Sequence, residues 1–228
     1  MVSRRKLFAG AGMAPLAGTL IASAGSAQAR STTNEPRPAL RRFAPPLSGR
    51  EMMRQRYFPN LTLVTEAGRS VKFYDDLLKD KIVVLNFMYA DCQGVCPTIV
   101  QNLMRVRKIL DSEVNKDIFF YSMTLRPEVD SPAALREYAQ MHGIRDTRWS
   151  FLTGKSDDVD QLRHLLGFAD PDPVIDKDKT KHSGMVRYGN EPLSIWGSCQ
   201  GSGQPEWMAQ EIQFAIPREF KRRPRVND

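Results

Sequence analysis

A nearly unbroken apolar run at residues 81–89, KIVVLNFMY, constrains the fold of this chain more than any other feature. Its β-branched residues and its lack of polar alternation predict a strand that is buried on both faces of a sheet. Immediately downstream, from Thr98 to Leu110, apolar residues recur at helical spacing, and Pro97 suits the first turn of a helix. The chain therefore runs from a buried strand, through a loop that contains two cysteines, into a helix.

The same alternation of strands and helices continues on both sides of this unit and predicts an α/β domain with parallel strands. A Gly189-Asn190 turn between two apolar segments adds an antiparallel pair. The predicted fold is thus a thioredoxin-like α/β domain with a central mixed sheet, flanking helices and an N-terminal β-hairpin. Ser131 is the expected N-cap of one helix, and Ser156 or Asp157 that of the next. The remaining predicted elements are strands at 61–64, 70–73, 118–123, 149–154, 185–188 and 193–196, and helices at 132–142, 157–166 and 206–216.

The first 29 residues have the pattern of a cleavable export signal. Arg4, Arg5 and Lys6 precede an Ala- and Gly-rich apolar stretch, which ends in an A-x-A cleavage pattern at residues 27–29. The Arg4-Arg5 pair predicts the twin-arginine route and a periplasmic product, or a membrane-anchored one if the signal is retained. Removing residues 1–29 takes away three cations and no acids, so the formal charge falls from +7 to +4.

Composition divides the rest of the chain into three segments. Residues 30–56 carry four prolines among charged residues and predict a flexible leader, and residues 57–217 are the predicted folded domain. Residues 218–228 form a basic tail with five cations and two acids. Such a tail is usually solvated, and a peripheral contact with an anionic membrane is a second interpretation. The sequence lacks the interleaved basic and aromatic residues that would indicate a nucleic-acid partner.

Cys92 and Cys96 lie between the buried strand and the helix with the spacing C-x-x-x-C. Four residues correspond to about one helical turn, so both sulfurs can point to one place. The positive end of a helix stabilises a thiolate, which is both the nucleophile of disulfide exchange and a soft ligand that suits copper. The chain has three cysteines, too few for a scaffold held together by disulfides. A structural disulfide, a redox pair and part of a metal site all remain open.

A site that also accepts Cu(II) needs an imidazole beside its thiolates. His142 ends one predicted helix and His164 lies inside another, so both are expected to be surface or capping residues. His182 follows a polar, turn-rich loop and precedes an apolar strand, a position from which it can reach over the end of a parallel sheet. A lone loop histidine is more often exposed to solvent, yet His182 is the candidate third ligand.

Together these motifs resemble the SCO/SenC family of copper-handling, thioredoxin-like proteins. The resemblance implies that Cys92, Cys96 and His182 bind copper as Cu(I) or Cu(II). It also implies delivery of that copper to a recipient enzyme, such as the CuA subunit of cytochrome c oxidase. It covers about residues 58–188, through FPNLTLVTEAGRSVKFYDDL, KIVVLNFMYADCQGVCPTIVQNL, FYSMTLRPEVDSPAALREYAQMHG, FLTG and KHSGMVRY.

The chain departs from the family pattern near the implied ligands. Gln93 stands where the family often has proline, and Arg126 where it usually has an acid, although Asp130 is retained. Lys181 replaces the acid that commonly precedes the histidine. A lysine beside a metal-binding imidazole disfavours a bound cation and removes an orienting partner. We expect these departures to change the affinity for copper more than the ability to bind it.

Cys199 is the third cysteine, and its Gly- and Ser-rich surroundings predict a flexible loop. It could be a resolving thiol, an extra copper ligand, one half of an intermolecular disulfide or, as we expect, a free bystander. Met185, three residues after His182, is soft enough to ligate copper, but a methionine at the start of a strand is more often part of the core. Met88 and Met123 receive the same interpretation.

Two functions use the same residues. A metallochaperone would capture copper with Cys92, Cys96 and His182 and pass it on without catalysing a reaction. A thiol-disulfide oxidoreductase would use Cys92 and Cys96 as its redox pair, with Cys92 as the attacking thiolate, and would need a thiol-disulfide reductant as a partner. A peroxiredoxin-like enzyme is disfavoured, because NFMYADC lacks the Pro-x-x-x-Thr-x-x-Cys context of a peroxidatic cysteine.

Overall fold

A computed structural model describes residues 46–92, 94, 96–179 and 184–221. Its strands are β1 (Thr62–Thr65), β2 (Ser70–Lys72), β3 (Ile82–Met88), β4 (Ile118–Thr124), β5 (Trp149–Gly154), β6 (Met185–Asn190) and β7 (Ile195–Gln200). Its α-helices are α1 (Gly49–Tyr57), α2 (Cys96–Glu113), α3 (Pro132–Met141), α4 (Ser156–Leu165), α5 (Pro173–Lys177) and α6 (Pro205–Phe214). A wide helical turn, Phe73–Leu78, and a short helix, Arg218–Phe220, complete this part of the chain.

The strands form one mixed sheet in the order β2-β1-β5-β4-β3-β6-β7. Its middle is parallel, because β4 pairs in parallel with both β3 and β5. Its edges are antiparallel: the β1–β2 hairpin joins β5, and the β6–β7 hairpin joins β3. All seven residues of β3 are buried, as its apolar run predicts. The predicted thioredoxin-like fold with a mixed sheet and an N-terminal hairpin is confirmed.

Two of the predicted helices show how well local signals fix a helix start. The Ser131 hydroxyl accepts a hydrogen bond from the backbone N–H of Ala134 at 3.2 Å, so its predicted role as the N-cap of α3 is confirmed. The capping prediction for α4 is wrong, because the helix already includes Ser156 and its N-cap is Lys155, which makes no side-chain cap. Asp157 instead lies in the first turn, where a carboxylate favours the helix dipole.

The C-terminal hairpin exists, but its turn lies further along the chain than predicted. Gly189 and Asn190 are the last residues of β6, and the turn consists of residues 191–194. Gly189 faces Trp196 across the two strands, and a Cβ atom there would lie 2.2 Å from the indole. The glycine is therefore required by the approach of an aromatic ring from the neighbouring strand rather than by a tight turn.

The fold begins earlier than the predicted boundary at residue 57. Residues 49–57, most of which were assigned to a flexible leader, form α1, and the Ser48 hydroxyl caps it by accepting from the N–H of Glu51 at 3.2 Å. The fold also continues past residue 217, because the carbonyl of Phe220 accepts from the N–H of Asn115 at 2.6 Å. The predicted export signal, the leader as far as residue 45 and the tail from residue 222 lie outside the described residues. Every helix in the described part of the chain is too short or too polar to cross a lipid bilayer.

A buried carboxylate, Glu191, ties α1 to the body of the domain. It accepts hydrogen bonds from Arg50 Nε at 2.7 Å and Nη2 at 2.6 Å, and from the Tyr74 hydroxyl at 2.7 Å. The backbone N–H of Asp80 is a further donor at 2.8 Å. Burial raises the pKa of Glu191, but these hydrogen bonds outweigh it and hold the pKa below its ordinary value. The folded state therefore favours the charged form.

Replacement of this carboxylate should destabilise the whole domain. We expect Glu191→Gln to lower the free energy of unfolding at pH 7 by about 2 kcal/mol, because it removes the charge that Arg50 and Tyr74 face, while Arg50 keeps some contact with water. Since the pKa is depressed in the folded state, the difference should shrink as the pH falls through that pKa. Urea unfolding of both proteins at several pH values measures it. Glu51→Gln, in an exposed pair on α1, is the matched control, and an equal loss in the two variants would contradict the prediction.

Candidate metal centre

The end of β3 delivers the two predicted thiols to one place. After Met88 the chain leaves the sheet at Tyr89, reaches Cys92 in the loop and starts α2 at Cys96. Both cysteines are buried, with 7% and 1% of their surfaces exposed, and both are free thiols rather than a disulfide. Their side chains are hydrogen-bonded to each other. The predicted pair is therefore adjacent in space, at the N-terminus of a helix.

The two thiols differ in acidity. Burial raises the pKa of Cys92, but hydrogen bonds from Cys96, from the Tyr89 hydroxyl and from the backbone N–H groups of Cys96 and Gly94 outweigh it, so the pKa lies below that of an ordinary thiol. Burial and the hydrogen bond to Cys92 raise the pKa of Cys96 to about 12. Cys92 is thus the more acidic thiol of the pair, and Cys96 is the less acidic one.

Two tyrosines surround this pair, and the sequence interpretation assigned neither to the site. The hydrogen bond to Cys92, together with burial, raises the pKa of Tyr89 to about 12, so its hydroxyl stays protonated as a donor. Tyr138 of α3 is buried close enough to both cysteines for them to add to the effect of burial in raising its pKa. Its hydroxyl has no hydrogen-bond partner among the described residues. The only sequence signal for Tyr89 was its position as the last residue of the apolar run, next to the cysteine loop.

A second buried carboxylate, that of Asp130, holds the start of the thiol loop by a hydrogen bond. Asp130 is 2% exposed, and it accepts hydrogen bonds from the backbone N–H of Ala90 at 3.1 Å and from the Thr124 hydroxyl. The Thr124 oxygen in turn accepts from the N–H of Arg126 at 2.9 Å. Asp130 therefore joins the segment that follows β3 to the last residue of β4. This structural role explains why the chain keeps the aspartate of the family pattern although it departs from that pattern at Arg126.

Arg126, which replaces the acid of the family pattern, is paired at the rim of the site. Its guanidinium donates to both carboxylate oxygens of Asp91 at 2.8 and 3.1 Å and lies 5.5 Å from the ring centroid of Tyr89. The pair is solvent-accessible and contributes little to stability. It leaves this part of the rim without net charge, so a metal cation is attracted less than by an unpaired carboxylate.

The third predicted ligand, His182, lies outside the described residues, as do Gln93 and Lys181. On its C-terminal side, Val186 pairs with Asn86 of β3. Gly184, two residues earlier, therefore lies level with Met88, the last residue of β3, after which the thiol loop begins. Within the described ranges, no three His, Cys, Asp or Glu side chains are grouped so that they could hold a metal. The assignment of His182 stays a prediction.

The family model described as SCO1/SenC matches residues 50–216. The chain belongs to the SCO1/SenC family. This confirms the predicted resemblance and extends it beyond Tyr188, where the recognisable motifs end. It also includes nearly all of α1 in the family domain.

Individual relatives of this SCO1/SenC chain are distant in sequence. A SCO1 protein homolog of Bacillus subtilis (strain 168) is 28% identical over 95 residues, which are 42% of this chain and 48% of that relative. The chain thus spans about half the length of that curated relative. Yeast Sco1 with copper bound superposes with a TM-score of 0.55 at 19% identity, over 69% of this chain and 93% of its own. BsSco is described with a disulfide switch, as a member of the Sco family of cytochrome c oxidase assembly proteins. It superposes with a TM-score of 0.56 at 19% identity, over 68% of this chain and 90% of its own. These likenesses show a common fold.

The other two histidines of the SCO1/SenC domain lie as expected for surface or capping residues. His142 follows the last residue of α3, and its ring centroid is 4.5 Å from that of Tyr138. His164 is half exposed on α4, with Nε2 3.4 Å from Asp160 and 3.6 Å from Asp176. Neither forms part of a group of possible metal ligands among the described residues.

Cys199 is not in a flexible loop, so that prediction is wrong. It lies inside β7 opposite Val186 and is half-buried, because the displaced turn extends the hairpin to Gln200. Burial, with a smaller effect of Glu211, raises the pKa of Cys199 to about 11 and keeps it a poor nucleophile. Met88 and Met123 are buried in the core as expected, whereas Met185 is only partly buried against it.

The difference in acidity between the two site thiols can be measured directly. We expect iodoacetamide to modify Cys92 first, with a half-maximal rate at a pH below that of an ordinary thiol, whereas Cys96 should stay unmodified up to strongly alkaline pH. Peptide mass spectrometry across a pH series measures both sites. Cys96→Ala should move the Cys92 profile to higher pH because it removes a donor, and Cys199→Ser should leave it in place. Faster modification of Cys96 than of Cys92 would overturn the assignment.

Proposed function

We propose that this SCO1/SenC protein is a copper chaperone, which captures copper with Cys92 and Cys96 and passes it to a recipient copper enzyme. The observation that carries the proposal is the pair of buried, free, mutually hydrogen-bonded thiols at the N-terminus of α2. Two thiolates suit Cu(I), which prefers soft ligands and low coordination numbers. The copper-bound form of a structural relative, yeast Sco1, supports copper as the cargo.

His182 is the proposed third ligand, and the CuA centre of cytochrome c oxidase is the proposed destination. An imidazole would add the harder donor that Cu(II) requires. The return of the chain beside Met88 supports this role, because it limits how far His182 can lie from the thiol loop. The destination rests on the family resemblance and on the description of BsSco as a cytochrome c oxidase assembly protein.

Copper titration of the reduced protein tests the proposed site. Under anaerobic conditions, we expect one copper per chain with Cu(I), and a thiolate-to-Cu(II) charge-transfer absorption with Cu(II). His182→Ala should weaken Cu(II) binding at least about tenfold and spare the Cu(I) stoichiometry, because two thiolates alone can hold Cu(I). A Cys92→Ser, Cys96→Ser double variant should lose both ions.

His164→Ala, which removes a surface imidazole, is the matched control and should bind both ions like the wild type. Equal losses of Cu(I) and Cu(II) in His182→Ala would remove His182 from the site. Binding no stronger than that of the double cysteine variant would remove copper from the function.

A thiol-disulfide oxidoreductase is the second candidate, and the unequal acidity of the thiols favours it. Cys92 as a thiolate could attack a disulfide of a copper protein and release one thiolate of that protein. The Cys96 thiol, once deprotonated, could then attack the mixed disulfide, which leaves the substrate reduced and Cys92 and Cys96 joined. An external thiol reductant would restore the pair. If the titration finds no copper while Cys92 is the first thiol that iodoacetamide modifies, this function takes the place of copper delivery.

The proposed place of action is the periplasm, reached by the twin-arginine route. We expect Arg4→Lys together with Arg5→Lys to block export, because that route reads the arginine pair in the signal. Cell fractionation followed by immunodetection of the chain measures the effect. Arg41→Lys with Arg42→Lys changes a second arginine pair outside the signal and should leave export intact. Normal export of the first variant would exclude the twin-arginine route.

A further inference from the structure

A groove between α1 and the end of α4, here called the α1–α4 groove, is lined mainly by apolar side chains. Its volume is about 450 Å³, which lies within the range of small-molecule binding sites. Met53 and Tyr57 of α1 line one side, and Leu165 at the end of α4 lines another. Trp196 of β7 and Arg187 of β6 reach the groove from the sheet. The groove therefore combines an apolar lining with one guanidinium.

The register of the sheet explains why Arg187 reaches this groove. Arg187 lies in an interior strand, where it pairs with Leu85 of β3 and with Ser198 of β7. The hydroxyl of the next residue, Tyr188, donates to Glu211 of α6 at 3.3 Å. Successive side chains of a strand point to opposite faces of the sheet. Arg187 therefore faces away from α6, toward α1 and α4.

The half-buried guanidinium of Arg187 has no acidic partner within the part of the chain that the structure describes. Its Nε atom is buried and makes no hydrogen bond there, and burial lowers the pKa of Arg187 without an acid that opposes this effect. Gly167 packs so close that a Cβ atom there would lie 2.8 Å from Nη2. A cation without a counter-charge in such a place is costly to the folded state. A bound anion would remove this cost.

The acids on the elements around the groove already have cationic partners. Asp160 and Asp176, which contact the histidine of α4 at the rim, both bind Arg163. On α1, Glu51 lies 2.7 Å from Arg54 of the same helix. None of these three carboxylates compensates the charge of Arg187. The counter-charge that the groove lacks can come from a ligand.

We propose that the α1–α4 groove binds a small organic acid, with its carboxylate on Arg187 and its flat apolar body against Tyr57 and Trp196. A guanidinium can form two parallel hydrogen bonds with a carboxylate. Aromatic side chains pack favourably against a flat ring. A ligand with both parts supplies the counter-charge and covers the apolar lining. The described residues that line the groove do not include Cys92 or Cys96, so this inference does not rest on copper binding.

Calorimetric titration of the full chain with phenylpropionate tests the proposal. Phenylpropionamide, which has nearly the same shape but no charge, is the matched probe. We expect saturable binding of the acid and at least about tenfold weaker binding of the amide. Arg187→Met keeps an unbranched side chain without the charge and should weaken binding of the acid at least about tenfold. Trp196→Leu should weaken binding of both probes, because it removes the contact with their ring.

Arg56→Met is the matched control, because it carries the same net charge as Arg187→Met. Arg56 is exposed at the end of α1, with its guanidinium 5.3 Å from the ring centroid of Tyr57. This variant should bind the acid within about twofold of the wild type, since exposed charges are screened. Equal losses of affinity in the two arginine variants would overturn the proposal. Equal affinity for acid and amide, or no saturable binding of the acid up to about 10 mM, would overturn it as well.

Thermal unfolding separates a ligand-binding role of Arg187 from a structural one. Without a probe, Arg187→Met should unfold at the same temperature as the wild type or at a higher one, because it removes an uncompensated cation. The acid should raise the thermal midpoint of the wild type and leave that of Arg187→Met in place. A lower midpoint of Arg187→Met without the probe would give Arg187 a structural role and overturn the proposal.

Discussion

The burial of β3 between two partner strands is the constraint on which the rest of the structure depends. Its seven residues pair with β4 on one side and with β6 on the other, and none reaches solvent. A strand in this position fixes the places of both neighbours and the direction of the chain at its end. One end of the sheet, where β3 and β4 end, therefore brings together the thiol loop, the loop that holds Asp130 and the start of β6. The site follows from strand order and register more than from any contact within the loop.

Most of the fold could be predicted from the sequence because its signals are local or periodic. The apolar run of β3, the helical spacing after Pro97 and the Ser131 cap each predict an element that the structure confirms. Helix α1 was missed because none of its residues is buried, so it lacks an apolar stripe. Its Ser48-Gly49-Arg50-Glu51 start is a capping-box sequence and was the signal that could have predicted it. What holds α1 in place is Glu191, which lies 141 residues from Arg50, a separation that no local pattern reports.

The position of the two sulfurs could be predicted from the sequence, but the hydrogen bonds and ion pairs around them could not. Spacing and position predicted that Cys92 and Cys96 meet at a helix end. The sequence does not reveal the direction of the hydrogen bonds from Tyr89 and Cys96, which make Cys92 the more acidic thiol. Nor does it show that Arg126, which appeared as a departure from the family pattern, is paired with Asp91. The turn of the C-terminal hairpin was predicted in the wrong place because a glycine is typical both of a tight turn and of a strand position that an aromatic ring covers. The sequence does not show which of the two causes applies at Gly189.

The weak acidity of Cys96 means that a metal bound by both thiols would displace at least one proton, so metal exchange at this site would also be a proton exchange. Cys92 is the more acidic thiol, and Cys96, whose pKa is raised, must lose its proton before both sulfurs can bind one ion. The apparent affinity for a metal held by both thiolates should therefore fall about tenfold for each pH unit of acidification, and about a hundredfold once Cys92 is protonated too. For the proposed copper transfer, acidic surroundings would favour unloading and alkaline surroundings would favour loading. The burial of Cys96 would thus couple the direction of that transfer to the local concentration of protons.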